Sequence, residues 1–291
     1  MVIFKIDGMM EDQAHGNDIE LIDVDRIFKN KNPRLYNVLP GFILRYIKRI
    51  IHQDELNEAL VRFKDDKGVD FVRSILDYMN IEYTVTGEEN IPGEGRLIFV
   101  SNHPLGGLDG LIFIDIIGKR FSNIRFIVND ILLNIKNLES IFVPVNKYGR
   151  QSAAYARKIE DVYRSDNQVL YFPAGLCSRK SGKRIMDLEW KKNFIKKAVD
   201  HKRDVIPMYF SGSNSGFFYR LANLRKFLGI KANIELFLLS DEMFRQKGRK
   251  ISVKIGKPVP YTTFDSSKNQ SEWAKYLKDL VYEMGKEVES A

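Results

Sequence analysis

The front of the chain carries apolar residues at helical spacing. In the stretch from Pro40 to His52, "PGFILRYIKRIIH", isoleucines recur at intervals of three and four positions with basic residues between them. This period predicts an amphipathic helix with Arg45, Lys48 and Arg49 on its polar side. The stretches "DELNEALVRF" and "VDFVRSILDYMN" keep the helical period on either side of Gly68, so we expect roughly the first 80 residues to be helical.

After residue 80 the pattern changes to short runs of β-branched and aromatic residues. The runs are "IEYTVTG", "RLIFVSN", "IRFIVND", "FVPVN", "VLYFPAG", "VIPMYFSG", "IELFLL" and "ISVKIG", and a helical segment separates most of them. This alternation predicts an α/β fold with a largely parallel sheet flanked by helices, preceded by the helical N-terminal segment. Pro207 cannot donate to a ladder, so we expect it at an edge or ahead of a loop. The predicted regions are therefore 1–80 and 81–291.

A histidine and an aspartate lie directly after the second of these runs. In "FVSNHPLGGLDGLIF" a strand ends near His103, Gly106 and Gly107 permit a tight reversal, and Asp109 opens a helix. Ligands of open α/β sheets bind at the carboxyl ends of strands, which is where this loop lies. A carboxylate that accepts from one imidazole nitrogen leaves the other free as a general base. A histidine bonded to the backbone beside a helix-capping aspartate is the alternative interpretation.

Two further loops after predicted strands are rich in cations. "IFVPVNKYGR" contains Lys147 and Arg150, and "YFPAGLCSRKSGKR" contains the turn glycine Gly175 followed by Ser178 and Arg179. Arginine and lysine beside a glycine turn suit a phosphate or a carboxylate. The same sign appears in the whole chain, since 46 Lys and Arg against 38 Asp and Glu give a net charge of +8. Such a balance favours an anionic partner, for example nucleic acid, lipid headgroups or a phosphorylated cofactor.

Other chemistries find little support in the sequence. The glycines around "GSNSG" resemble a nucleophile elbow, but Asn214 stands where the serine would be. The spacing of the four histidines and of the single cysteine, Cys177, predicts no metal site and no disulfide framework. No motif typical of nucleic-acid binding is present, so we expect no nucleic-acid partner. We expect no bound cofactor either.

The order of these motifs resembles the PlsC-like glycerolipid acyltransferase superfamily. The resemblance covers roughly Ile81 to Pro260 and rests on a histidine and an aspartate with five residues between them, then "FVPVNK", "FPAGLCSR" and "VIPMYF". It is closer to the hemolysin-like branch, which includes the O-acyltransferases of ornithine and glycine lipid synthesis and has an "NHPxGGxDG" loop. The resemblance implies transfer of an acyl group from acyl carrier protein or coenzyme A thioesters to a lipid hydroxyl.

The resemblance also implies roles for individual residues. His103 deprotonates the acceptor and Asp109 orients the ring, while Lys147, Arg150, Gly175, Ser178 and Arg179 fall in the acceptor-binding blocks. Backbone amides of Gly106 and Gly107 are candidate donors to the oxyanion. Two positions depart from the pattern of the phosphate-using enzymes: Ala174 replaces the usual glutamate, and Lys147 replaces an arginine. These departures favour a lyso-amino-acid lipid acceptor.

Three hypotheses on function remain at this point. The favoured one is an O-acyltransferase acting on a lyso-lipid, with an acyl-ACP or acyl-CoA co-substrate. The alternatives are a 1-acylglycerol-3-phosphate acyltransferase and a non-catalytic lipid-binding protein of the same fold. The sequence has no uninterrupted apolar run of about 20 residues and no signal-peptide pattern at its start. We therefore expect a cytoplasmic protein that is peripheral on the inner face of the membrane, with the helix around Arg45 as its contact.

Overall fold

A computed structural model describes residues 21–31, 33–129, 132–133, 135–145, 153–230 and 234–289. The described residues form two compact units, which divide between residues 64 and 65. The helix Gly68–Tyr78 belongs to the second unit. The functional division into a membrane-contacting front and an acyltransferase domain stays a prediction.

The described part of the first unit is helical, as the sequence predicts. Its helices are α1 (Val24–Lys31), α2 (Pro33–Val38), α3 (Gly41–Ile51) and α4 (Gln53–Arg62). Leu44 of α3 is buried, whereas Phe42 and Tyr46 are exposed on a face they share with Arg45 and Arg49. Lys48 forms an ion pair with Asp25 of α1. The exposed face of α3 is thus aromatic and basic, whereas Lys48 joins α3 to α1.

The second unit contains the sheet and its covering helices. Its elements are α5 (Gly68–Tyr78), β1 (Glu82–Thr86), β2 (Leu97–Ser101), α6 (Gly107–Gly118), β3 (Ile124–Asn129), β4 (Phe142–Val145), α7 (Ala153–Arg164), β5 (Gln168–Tyr171), β6 (Arg179–Ser181), β7 (Arg184–Met186), α8 (Asn193–Asp200), β8 (Asp204–Phe210), α9 (Gly216–Phe227), α10 (Leu239–Phe244), β9 (Lys250–Ile255) and α11 (Gln270–Glu289).

Seven strands form one mixed sheet in the order β1-β9-β8-β2-β5-β3-β4. Every neighbouring pair is parallel except β8 and β9. The predicted α/β class, a largely parallel sheet flanked by helices, is confirmed. Within the described residues, no helix combines the length and the apolar character needed to cross a membrane.

Alternate residues of the central strands pack on opposite sides of the sheet. On one side, Phe113 of α6 contacts Phe126 and Phe210, with ring centroids 5.7 Å apart in each pair. The residues next to these phenylalanines in β3 and β8 are Ile127 and Tyr209. They belong to the core cluster that includes residues of α8 and α11. Period-two alternation of this kind is what a sheet covered on both faces requires.

Two local predictions are wrong. The run "IELFLL" forms a short 3₁₀ helix, Ile234–Leu238, followed by α10, because its Glu235 is buried in ion pairs that an alternating strand would not provide. Pro207 lies inside β8, opposite Val100 of β2, and its carbonyl accepts from the N–H of Gly256 at 2.8 Å. The β6–β7 hairpin has too short and too polar a sequence to be predicted.

Candidate active site

Parallel pairing of β2 and β5 brings their two following loops together. Val100 lies opposite Tyr171 in the register, so the residues just beyond each strand are neighbours. The imidazole of His103 stacks on the ring of Phe172, with centroids 4.0 Å apart and an interplanar angle of 16°. The side chain of Asn102 fixes the base of the loop, since its amide exchanges two 2.8 Å hydrogen bonds with the backbone of Phe210.

His103 and Asp109 form the pair that the sequence predicts. Nδ1 of the imidazole lies 3.0 Å from Oδ1 of Asp109, and the other carboxylate oxygen accepts from the N–H of Leu105 at 2.9 Å. Asp109 is fully buried, whereas the side chain of His103 keeps 17% of its surface exposed. A buried carboxylate held from two sides orients the ring and leaves Nε2 as the nitrogen for exchange with a substrate.

The turn between these residues depends on Gly106. Its φ of 76° and ψ of −121° lie where side chains are not tolerated, and a Cβ there would be 3.1 Å from Leu239. Gly107 begins α6 instead. No described residue accepts a hydrogen bond from the N–H groups of Gly106 and Gly107. These amides point from the first turn of a helix, where backbone N–H groups are suited to bind negative charge.

The electrostatic setting raises the pKa of His103 well above its usual value. Burial alone lowers the pKa of an imidazole, because it disfavours the charged ring. The negative charge of Asp109 and the adjacent side chain of Cys177 both raise the pKa, and together they outweigh burial. His103 therefore holds its proton to a higher pH than a free histidine does.

Asp187 connects His103 to the stretch "FPAGLCSR", and no local sequence pattern predicts this role. Its Oδ1 accepts from the N–H of His103 at 3.2 Å and from the hydroxyl of Ser178 at 2.7 Å. Its Oδ2 accepts from the indole of Trp190 at 2.8 Å. The carboxylate is buried, and burial raises its pKa despite these donors. Only the fold brings together residues more than 80 positions apart.

Arg179 belongs to a buried cluster of charges. Its Nη2 lies 3.0 Å from Oε1 of Glu235, and its Nη1 donates to the carbonyl of Cys177 at 2.7 Å. Arg225 of α9 pairs with the same glutamate, with its Nε 2.8 Å from Oε2. Glu235 is fully buried. The two arginines and one glutamate carry a net charge of +1, and this local excess is what an anion at the site would meet.

The other predicted acceptor-binding residues occupy different settings. Gly175 closes a turn by donating its N–H to the carbonyl of Phe172 at 2.9 Å, with a φ of 64°. Ser178 is buried, and its N–H donates to the carbonyl of His103 at 2.8 Å, so it braces the loop. Lys147 and Arg150 lie outside the described residues.

The side chain of Lys191 lies beside the turn at Gly175. Nζ of Lys191 would be 3.4 Å from a Cβ at Gly175. Its N–H donates to the carbonyl of Pro173 at 3.0 Å, which fixes its backbone against the turn. Lys191 therefore adds positive charge beside the turn at Gly175. Among the described residues, no group of three His, Cys, Asp or Glu side chains is arranged to hold a metal ion. Absence of a metal and of a bound cofactor stays a prediction.

Several known acyltransferases are similar in sequence to this chain. Two lyso-glycine lipid O-acyltransferases are similar over most of the chain: that of Bacteroides thetaiotaomicron is 46% identical over 91% of this chain and 97% of its own, and that of Phocaeicola vulgatus is 45% identical over 92% and 96%. A 1-acyl-sn-glycerol-3-phosphate acyltransferase of Borreliella burgdorferi is 29% identical over 55% of this chain and 65% of its own.

One solved structure and one family model also match most of this chain. The crystal structure of the 1-acyl-sn-glycerophosphate acyltransferase PlsC from Thermotoga maritima has a TM-score of 0.48 at 20% identity, covering 92% of this chain and 94% of that one. The family model described as acyltransferase matches residues 26–290. The chain belongs to this acyltransferase family, which confirms the resemblance to PlsC-like glycerolipid acyltransferases and makes the protein an enzyme.

Proposed function

We propose that this acyltransferase moves a fatty acyl group from an acyl-ACP or acyl-CoA thioester to the hydroxyl of a lyso-lipid. The observation that carries the proposal is the contact between His103 Nδ1 and the buried carboxylate of Asp109, at the mouth of a loop with unpaired amides. The names of the 46% and 45% identical relatives support a lyso-lipid as the acceptor.

The reaction follows from these groups. Nε2 of neutral His103 takes the proton of the acceptor hydroxyl as its oxygen bonds to the thioester carbonyl carbon. The carbonyl oxygen then carries the negative charge, and the N–H groups of Gly106 and Gly107 are its candidate donors. When the carbon–sulfur bond breaks, the imidazolium returns its proton to the thiolate. The products are an ester and a free thiol, and His103 is neutral again. Proton transfer of this kind contributes about 10²–10⁴-fold to rate.

A lyso-glycine lipid, or a related lyso-amino-acid lipid, is the acceptor that the charges favour. Glycine linked through its nitrogen keeps a single carboxylate, and the cluster of Arg179, Glu235 and Arg225 has a net charge of +1. A phosphate monoester carries close to two negative charges at neutral pH. The cluster neutralises such a charge less completely, because Arg179 is already paired with Glu235. Ala174 in place of glutamate points the same way. The 29% identical relative keeps 1-acylglycerol-3-phosphate as the second candidate acceptor.

Transfer assays with the purified protein test both parts of the proposal. Lyso-glycine lipid and lysophosphatidate are each offered with acyl-CoA and with acyl-ACP, and the esterified products are quantified. We expect the lyso-glycine lipid to be acylated at the higher kcat/KM and His103→Ala to abolish the reaction. His201→Ala is the matched control, because that histidine lies elsewhere, against Tyr163. Preference for lysophosphatidate, or full activity of His103→Ala, would refute the proposal.

We place the enzyme on the inner face of the membrane as a peripheral protein. The exposed face of α3, which carries Phe42, Arg45, Tyr46 and Arg49, supports this placement. Aromatic residues that alternate with arginines are suited to the headgroup region of an anionic bilayer. A lipid acceptor of the proposed kind is dissolved in that bilayer, so the enzyme has to reach its surface.

A further inference from the structure

The outer face of α9 is apolar although it faces solvent. Phe217, Leu221, Leu224 and Leu228 recur at intervals of four, three and four residues, which places them in one stripe along the helix. Phe227 is 86% exposed, Leu228 59% and Leu224 53%. Exposed leucines scattered singly need no explanation, but a contiguous stripe of this size marks an interaction surface.

The inner face of the same helix is fixed against the candidate active site. Phe218 and Ala222 are buried, and the guanidinium of Arg179 lies 5.3 Å from the ring of Phe218. Arg225 reaches Arg179 through their shared partner Glu235. Ser215 caps the helix by accepting from the N–H of Phe218 at 3.2 Å. The apolar stripe therefore lies on a firmly held helix, which also carries Arg225 of the cluster proposed to meet the acceptor.

The exposed charged residues of α9, Arg220 and Lys226, are both basic. Residues 216–230 contain Arg220, Arg225 and Lys226 and no aspartate or glutamate. Arg220 lies within the apolar stripe and is exposed. The β6–β7 hairpin adjoins α9, because the amide of Asn223 donates to the carbonyl of Lys180 at 3.4 Å. The exposed cations of this hairpin are Lys180, Lys183 and Arg184.

We infer that the outer face of α9, together with the β6–β7 hairpin, docks on an anionic lipid surface. Apolar side chains inserted at the headgroup boundary and cations facing lipid phosphates are the two contributions that hold such a helix in the plane of a bilayer. This inference rests on the proposed function, since a bilayer-dissolved acceptor is the reason to place this face, with Arg179 behind it, at the membrane. It concerns a surface separate from α3.

Vesicle sedimentation with the full chain tests the inference. The probe is phosphatidylcholine vesicles with and without phosphatidylglycerol. We expect Leu224→Glu/Phe227→Glu to weaken binding to the anionic vesicles by about tenfold or more, as the loss of two inserted apolar side chains implies. Arg220→Ala/Lys226→Ala should weaken binding to anionic vesicles and reduce its salt dependence. The control Val199→Glu/Tyr276→Glu adds the same charge at exposed apolar positions of α8 and α11 and should bind like wild type.

Two further readouts separate the possible failures. Transfer to a short-chain acceptor dissolved as monomers should be unchanged in Leu224→Glu/Phe227→Glu, while transfer to an acceptor embedded in vesicles should fall. If the wild-type protein does not acylate the dissolved acceptor, the proposed function is refuted and the docking surface is not. If Leu224→Glu/Phe227→Glu binds vesicles as tightly as wild type does, the docking surface is refuted.

A different occupant would also overturn the inference. If wild type sediments as a dimer in the ultracentrifuge and Leu224→Glu/Phe227→Glu as a monomer, the stripe is an interface between two copies of the chain. The variant Leu224→Ser/Phe227→Ser is tested in the same vesicle, transfer and ultracentrifuge experiments, without added charge. It decides the result if the glutamate variant does not fold. Both positions are exposed, and we expect both serine substitutions to keep the fold.

Discussion

The carboxylate of Asp187 holds the backbone N–H of His103 at 3.2 Å while it also accepts from Ser178 and Trp190. One buried group thus sets the position of the catalytic loop relative to the loop after β5. Asp187 touches no reacting atom in the proposed mechanism, so it is a positioning residue.

Asp187→Asn should lower kcat more than it raises the KM of either substrate. An amide offers an NH₂ group where the three donors need an acceptor, and loss of such a bond to a charged partner costs about 1.5–3 kcal/mol. Steady-state kinetics and urea unfolding measure the two effects. Asp200→Asn, on the exposed end of α8, is the control. Unchanged kcat in Asp187→Asn would remove this residue from the positioning of His103.

The pH profile of kcat/KM should rise with pH, with a midpoint above the value of about 6.5 typical of histidine. The reason is the raised pKa of His103, because only the neutral ring accepts the proton of the acceptor. Asp109→Asn removes the negative charge, so its midpoint should move to lower pH while its maximum rate falls. A midpoint that stays in place would show that Asp109 does not act on the ring.

The same raised pKa predicts a pH dependence of stability. The pKa of His103 is higher in the folded state than in the unfolded chain, so its contribution to the free energy of unfolding is fully present below about pH 6.5. It disappears as the pH rises through the folded pKa. Urea unfolding across this window should show the loss in wild type and not in His103→Ala.

Cys177→Ala should retain transfer activity, since the proposed mechanism forms no acyl-enzyme. The thiol raises the pKa of His103, so the variant should also move the pH midpoint to lower values. Intact-mass spectrometry of wild type incubated with the acyl donor alone should show no added acyl group. An acyl adduct on Cys177 that passes to the acceptor would replace the ternary-complex mechanism with a covalent one.

Gly106→Ala should lose more stability and more activity than Gly107→Ala. Gly106 has a positive φ and no room toward Leu239, and strain of this kind costs about 1–3 kcal/mol. A Cβ at Gly107 meets only the sulfur of Met243, at 3.4 Å. Thermal unfolding and kcat measured side by side test the difference, and equal effects would contradict the assigned turn geometry.

Arg45→Glu/Arg49→Glu should weaken sedimentation with anionic vesicles and leave unfolding unchanged. Each basic residue near an anionic surface contributes about 1 kcal/mol to binding, and both arginines are exposed on α3. Lys48→Glu should instead reduce stability, because it places a carboxylate against Asp25. If the double variant binds as wild type does, α3 is not a membrane contact.

Local patterns predicted the parts of the molecule that local interactions determine. The loop from Asn102 to Asp109 was recognisable because a strand end, a glycine pair and a helix start follow one another within a few residues. Asp187, Phe172 and Glu235 were missed because their roles come from partners distant in the chain. The run around Glu235 shows the cause most clearly: its apolar letters favour a strand, but the buried carboxylate requires the two arginines that only the folded chain supplies.

The strands β8 and β9 form the antiparallel pair of the mixed sheet, so the loop after β1 lies at the ends of the strands that are remote from the candidate active site. Because β1 and β9 run opposite to β2 and β5, the loop that follows β1 emerges at the edge away from His103. Glu94 is exposed in this loop, and the chain has one native cysteine, which is buried. A cysteine introduced at Glu94 would thus be a uniquely reactive point of attachment, so that a fluorophore can be coupled to the enzyme there without disturbing turnover.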